Sequence, residues 1–152
     1  MHMKTLILTL ICICTFSAGA QRYTSSLGLR GGSPGVTYLN AKYRINQQAY
    51  ELGIGGNTGS VWLHGNAYYQ NELNELLDYY YGFGANLGLG NMNRFETNLN
   101  GLGIGASAVV GIEHTLEDFP LNVSLDLGPS LYVLPRLQFG FAWALSIRYV
   151  LH

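Results

Sequence analysis

His64, Ser124 and Asp126 are a base, a hydroxyl and a carboxylate that share one face if the segments around them are extended. Such a trio could work as a hydrolase or acyltransferase triad, the imidazole taking the hydroxyl proton while the carboxylate orients the ring. Two strand positions and a distant histidine carry little specificity, however, and the competing reading is ionic: Asp126 pairs with Arg148 or Arg30, and His64 is a satisfied interior group. The stretch Gly101 to Ala108, GLGIGASA, comes near a dinucleotide fingerprint. That fingerprint needs a strand before it, a helix after it and an acidic residue further on. Here the polar Asn91 to Asn100 precedes it and the glycines keep strand period through Gly111, so no cofactor site is read from it. Asn122-Val123-Ser124 has the form of a glycosylation acceptor, inaccessible on a strand of a closed wall. The remaining histidines are scattered, His114 is expected on the opposite face from Glu113, and no metal cluster is visible. No catalytic, cofactor-binding or metal-binding residue is assigned, and the chain is expected not to be an enzyme.

Which elements could hold those residues on one face is told by the end of the chain, FGFAWALSIRYVLH from Phe139 to His152. Phe139, Phe141, Trp143, Leu145, Ile147, Tyr149 and Leu151 fall on one face of a strand. Gly140, Ala142, Ala144, Ser146, Arg148 and Val150 fall on the other. A soluble sandwich would turn its second face to water and dress it with Lys, Glu or Thr. A face of Gly and Ala suits a crowded interior instead, which makes the bulky face the outer one and lipid its solvent.

Period two recurs along the chain. Lys42 and Arg44 alternate with Ala41, Tyr43 and Ile45, and Glu51, Gly53 and Gly55 with Tyr50, Leu52 and Ile54. The large set Tyr79, Tyr81, Phe83, Ala85, Leu87 and Leu89 opposes Tyr80 and four residues that are Gly or Asn up to Gly88. Leu102 to Ile112 and Leu121 to Leu127 repeat the pattern, while Leu27 to Arg30 and Val61 to Tyr69 follow it less cleanly. Turn chemistry separates the runs at Gly31 to Gly35, Asn46 to Gln48, Gly55 to Gly59, Asn91 to Asn100, Glu117 to Pro120 and Leu134 to Arg136. Asn71 to Asp78 is read as a longer turn in which Leu73, Leu76 and Leu77 have helical spacing. Pro129 is placed at the outer end of the seventh strand. About eight strands of about 9–11 residues account for the length, so the fold class is all-β: a single antiparallel up-and-down transmembrane β-barrel.

The charges test the inverted orientation. Only 11% of the 152 residues are charged, and the formal net charge is −1, which gives nucleic acid no electrostatic foothold. Arg30, Lys42, Arg44, Glu51, His64, Glu113, Asp126 and Arg148 all fall on the small or polar face, and no Asp, Glu, Lys or Arg within the runs falls on the bulky one. A charge there would cost about 2–4 kcal/mol near the bilayer midplane. An eight-stranded lumen is only wide enough for side chains to fill it, so a plug of ion pairs and glycine, without an open pore, is expected. With both termini on the periplasmic side, Tyr43, Tyr50, Tyr69, Tyr79 and Tyr149 gather at that rim and Phe139 at the other, as interfacial girdles do.

Export is written into the N-terminus. Lys4, the apolar run Leu6 to Phe16 and the Ala18-Gly19-Ala20 cleavage pattern read as a signal peptide over 1–20, leaving 21–152 as the barrel. The run is shorter than the roughly 20 residues of a spanning helix. Cys12 and Cys14 both lie in the signal, so the mature chain has no thiol chemistry.

Three segments carry a resemblance: SLGLRGGSPGVTY near the mature start, GIEHTLEDFPLNVSLDLGPSLYVL, and the closing ALSIRYVLH. They resemble the small outer-membrane β-barrel proteins common in Bacteroidetes, relatives in architecture of the OmpA and OmpX barrels. The resemblance implies a Gram-negative outer-membrane location, contact with outer-membrane lipid, insertion by the outer-membrane assembly machinery, a monomer, and a structural or surface-interaction role. It brings no catalytic residue and no cofactor. Such barrels usually end on an aromatic residue; here Leu151 and His152 stand in its place. An outer-membrane lipid-modifying enzyme with a lumenal site is the alternative.

Overall fold

The computed structural model describes residues 24–33, 35–74, 77–94, 97–116 and 119–151, with the backbone alone at 91–94 and 97–100. The segment 1–20 read as a signal peptide, with Cys12 and Cys14, lies outside these residues, as do Leu76 and His152. Eight strands follow in order: β1 Ser25–Ser33, β2 Thr37–Ile45, β3 Gln48–Asn57, β4 Ser60–Glu72, β5 Leu77–Arg94, β6 Thr97–Thr115, β7 Leu121–Leu134 and β8 Gln138–Leu151. Each pairs antiparallel with the next, and β1 closes on β8, from Ser25 opposite Leu151 to Ser33 opposite Trp143. Closure leaves no edge along the wall, so every strand in it has a backbone partner on both sides.

The two faces are sorted as alternation demands. Along β2, Tyr38, Asn40, Lys42 and Arg44 are buried, while Leu39, Ala41, Tyr43 and Ile45 are exposed. Along β8, Ser146, Arg148 and Val150 are buried between exposed Leu145, Ile147, Tyr149 and Leu151. The inversion is wide: Leu52 is 69% exposed and Phe83 72%, against 1% for Lys42, Glu51 and Arg148. Ionic groups occupy the axis and hydrocarbon the outside, the reverse of a water-soluble protein.

Glycine makes this interior possible. Five bulky inward side chains each face a glycine directly across the ladder: Trp62 and Gly88, His64 and Gly53, Asn66 and Gly84, Tyr80 and Gly111, Tyr132 and Gly105. A Cβ on Gly88 would lie 2.5 Å from the indole of Trp62, and one on Gly53 2.3 Å from the imidazole of His64. Rings therefore lie flat over bare backbone, and the small inward face is the space that the large inward residues of the neighbouring strand fill.

Three expectations change. Asn91 to Asn100 is not an open loop: β5 and β6 run on through Arg94 and Thr97 as a two-stranded ribbon, past Gly90 opposite Ser60, the last pairing of β5 with β4. Its polar residues have a loop's composition because the ribbon pairs with neither β4 nor β7 there, and the alternation of the closed wall does not extend to it. Gly90 and Gly101, paired at its base, have φ of 113° and 131°, a conformation open to glycine, so the ladder can change direction there. Asn71 to Asp78 is strand at both ends: Asn71 and Glu72 end β4, Leu77 and Asp78 begin β5, and Leu73 between them is exposed. Pro129 lies inside β7 rather than at its end. The pairs with β6 register on either side of it, at Ser107 with Ser130 and Val110 with Leu127, which spares the missing N–H.

Candidate functional site

All eight interior residues read from alternation are in the lumen and buried, and with their partners they form one network. Arg30 on β1 donates through Nη1 and Nη2 to the two oxygens of Asp126 on β7, both at 2.6 Å, a bidentate fork, and Tyr80 donates to Asp126 Oδ2 at 2.8 Å. Arg148 on β8 donates to Glu51 Oε2 on β3 at 2.5 Å, to Ser124 Oγ at 2.9 Å and to Asn122 Oδ1 at 3.1 Å. Glu51 also meets His64 Nε2 at 3.0 Å and Arg30 Nε at 3.6 Å, which ties the two arginines together.

Nearer the chain termini the network continues. Lys42 Nζ lies 2.5 Å from Glu113 Oε2 and 4.6 Å from the centroid of the Tyr80 ring, a cation–π contact. Gln70 Nε2 bridges Glu113 Oε1 at 2.5 Å and Asp78 Oδ2 at 3.1 Å, and Arg44 Nη1 closes on the same Asp78 oxygen at 2.5 Å. Four carboxylates, Glu51, Asp78, Glu113 and Asp126, thus meet four strong bases, Arg30, Lys42, Arg44 and Arg148. Every strand contributes a member. In a medium of low dielectric such charges persist only when paired and hydrogen-bonded this completely.

Asp78 and Gln70 are absent from the interior set that alternation marks. Asp78 falls in a stretch whose composition reads as a turn, yet it is two residues before the inward Tyr80, and the alternation extended backwards reaches it. The partner of Asp126 is Arg30, while Arg148 serves Glu51; face assignment alone leaves both open.

The candidate triad is dispersed among different partners. His64 engages Glu51, Ser124 accepts from Arg148, and Asp126 is held by Arg30 and Tyr80. No hydrogen bond joins any two of the three among the described residues. His64 is edge-on to Tyr38, with ring centroids 4.4 Å apart. GLGIGASA lies on β6 with no helix after it, and no group of three metal-ligating side chains occurs among the described residues.

Towards the turns that join β1 to β2 and β3 to β4 the lumen loses its charges. Val36, Tyr38, Trp62 and Tyr132 form a buried apolar cluster, with Trp62 and Tyr132 edge to face at 5.9 Å and the Trp62 indole donating to Ser60 Oγ at 3.0 Å. Between this cluster and the Arg30–Asp126 pair lies a cleft of about 70 Å³ lined by His64, Asn66, Asn86, Ser107 and Ser130.

These features define a class, the closed eight-stranded antiparallel barrel, all-β and without helices among the described residues. Among solved structures the chain is similar to Neisserial surface protein A, with a TM-score of 0.51 and 15% identity over 84% of this chain and 93% of that one. At that identity the likeness is one of fold. No family model matches the chain, and no curated protein matches it in sequence.

Proposed function

We propose that this chain is an integral outer-membrane β-barrel of a Gram-negative bacterium, with a structural or surface-interaction role and no enzymatic activity. The observation that carries the reading is the inverted wall: a belt of exposed Leu, Ile, Val and Phe around a buried ionic axis. Burying such a belt in water would require a partner of equal size, whereas a bilayer covers it without one. Tyr43, Tyr50, Tyr69, Tyr79, Tyr81 and Tyr149 are all exposed on the wall near the end that holds the chain termini, where a headgroup layer suits a ring with a polar tip. The fold shared with a Neisserial surface protein supports the same location.

In this reading residues 1–20 are an export signal, the outer-membrane assembly machinery inserts residues 21–152, and the barrel works as a monomer of the Bacteroidetes type with OmpA- and OmpX-like architecture. The ionic network across the termini half supports a plugged lumen without an open pore. Two measurements test this. The purified chain should require detergent and migrate differently on an SDS gel before and after boiling, and it should give no steady conductance in a planar bilayer. A monodisperse chain in detergent-free buffer would overturn the reading. The alternative, a lipid-modifying enzyme, is tested by His64→Ala and Asp126→Asn; an altered lipid profile would favour it.

A further inference from the structure

We infer that the uncharged half of the lumen is a binding cleft for a small, uncharged, hydrogen-bonding solute of the amide or polyol kind. The inference goes beyond the proposed role, since a barrel blocked at its floor can still hold a solute above it. The floor is the Arg30–Asp126 pair, and its charge is spent internally: the guanidinium gives two bonds to Asp126 and one, at 3.3 Å, to Ser146 Oγ, while the carboxylate also accepts from Tyr80. The roof is Val36, Tyr38 and Tyr132. The walls between them present two carboxamides, Asn66 and Asn86, two hydroxyls, Ser107 and Ser130, and the imidazole of His64.

This lining selects by chemistry and by size. Carboxamides and hydroxyls each donate and accept, so they match a solute that does both. Among the described residues no unpaired formal charge faces the cleft, so an ion entering it would shed its hydration without gaining a counter-charge. His64 adds a second, independent mark of polarity: Nε2 is taken by Glu51, and Nδ1 has no hydrogen-bond partner among the described residues. A space of about 70 Å³ admits about five waters at roughly 10–15 Å³ each, or one solute of comparable bulk.

The side-chain amides make the test internal, because Asn66 and Asn86 line the cleft while Asn122 lies outside its lining, bonded to Arg148 and Thr115. The folded ¹⁵N-labelled chain in detergent micelles is titrated with acetamide and, separately, with sodium acetate, its charged isostere, while the carboxamide N–H signals are followed by NMR. Acetamide should shift the Asn66 and Asn86 signals saturably and leave Asn122 in place, and acetate should shift none of them. Ser107→Leu fills the cleft and should abolish the response, whereas Leu63→Ala on the outer face should keep it. Asn86→Leu serves if the first variant loses its heat-dependent migration. Asn66 and Asn86 signals indifferent to acetamide, ones that move only in proportion to Asn122, or ones that answer acetate equally would overturn the inference. Loss of heat-dependent migration by the unmodified chain would instead count against the barrel reading itself.

Discussion

Arg148 on β8 reaches across the lumen to Glu51 on β3, its Nη2 lying 2.5 Å from Oε2, and both side chains are closed off from solvent. Glu51 is at the same time hydrogen-bonded to His64 and the neighbour of Arg30, so one carboxylate on β3 gathers guanidinium groups from β1 and β8 and an imidazole from β4. The seam between β1 and β8 is therefore held by backbone pairing and also by two side chains anchored on more distant strands, Arg30 on Asp126 and Arg148 on Glu51.

Removing that acceptor takes from Arg148 its nearest carboxylate and leaves it Glu113 at 3.7 Å. Glu51→Ala should lower stability by about 3–5 kcal/mol, read as a fall in the unfolding midpoint in urea for the chain in vesicles. Adding Arg148→Met to Glu51→Ala should restore part of the loss, because it removes the buried charge that has lost its nearest counter-charge. Equal midpoints for Glu51→Ala and the unmodified chain would refute the assignment.

Space is the second constraint. Gly88→Val should force Trp62 off its backbone seat, with a cost of about 1–3 kcal/mol and a changed Trp62 indole signal. Gly65 is a useful contrast, since a Cβ there would meet only Leu52 Cδ2, at 3.2 Å. Gly65→Ala should leave the midpoint nearly unchanged.

Asn40 is 1% exposed, and neither atom of its amide has a hydrogen-bond partner among the described residues. Asn40→Leu should therefore keep or raise stability, by an amount within the roughly 1–3 kcal/mol that an unpaired buried polar group costs. Asn122→Leu should do the opposite, because Asn122 accepts from Arg148 and donates to Thr115. Matching losses in the two variants would show that Asn40 has a partner of its own.

Depth on the outer face should grade the cost of a charge. Leu52, midway along β3, should lose about 2–4 kcal/mol on conversion to Arg, and Ile45, the last residue of β2, about 0–1 kcal/mol. Unfolding midpoints of the two variants in the same vesicles check the ordering, and a soluble β-sandwich would not produce it.

Face, strand number and every interior charge but Asp78 could be read from the residues because alternation records which solvent each side chain meets. Depth and pairing could not. Asp126 and Arg148 share a face, but which base lies at the height of Asp126 depends on register around a closed, tilted wall, and no local pattern states that. The residues from Asn91 to Asn100 misled for a physical reason: where β5 and β6 run past Gly90 and Gly101 they pair only with each other, so the alternation that marks a strand within the wall has nothing to impose it. Pro129 misled because a missing donor is tolerated wherever the ladder has a gap, inside a strand as well as at its end.

Seating each ring on a glycine has a consequence for how such a wall can vary. Enlarging Gly111 is open only if Tyr80 shrinks and Asp126 gives way, and shrinking Trp62 leaves a hollow that a larger residue at position 88 refills. The interior can drift only by reciprocal exchange between neighbouring strands, bulk moving from one side of a ladder to the other while the bore stays filled.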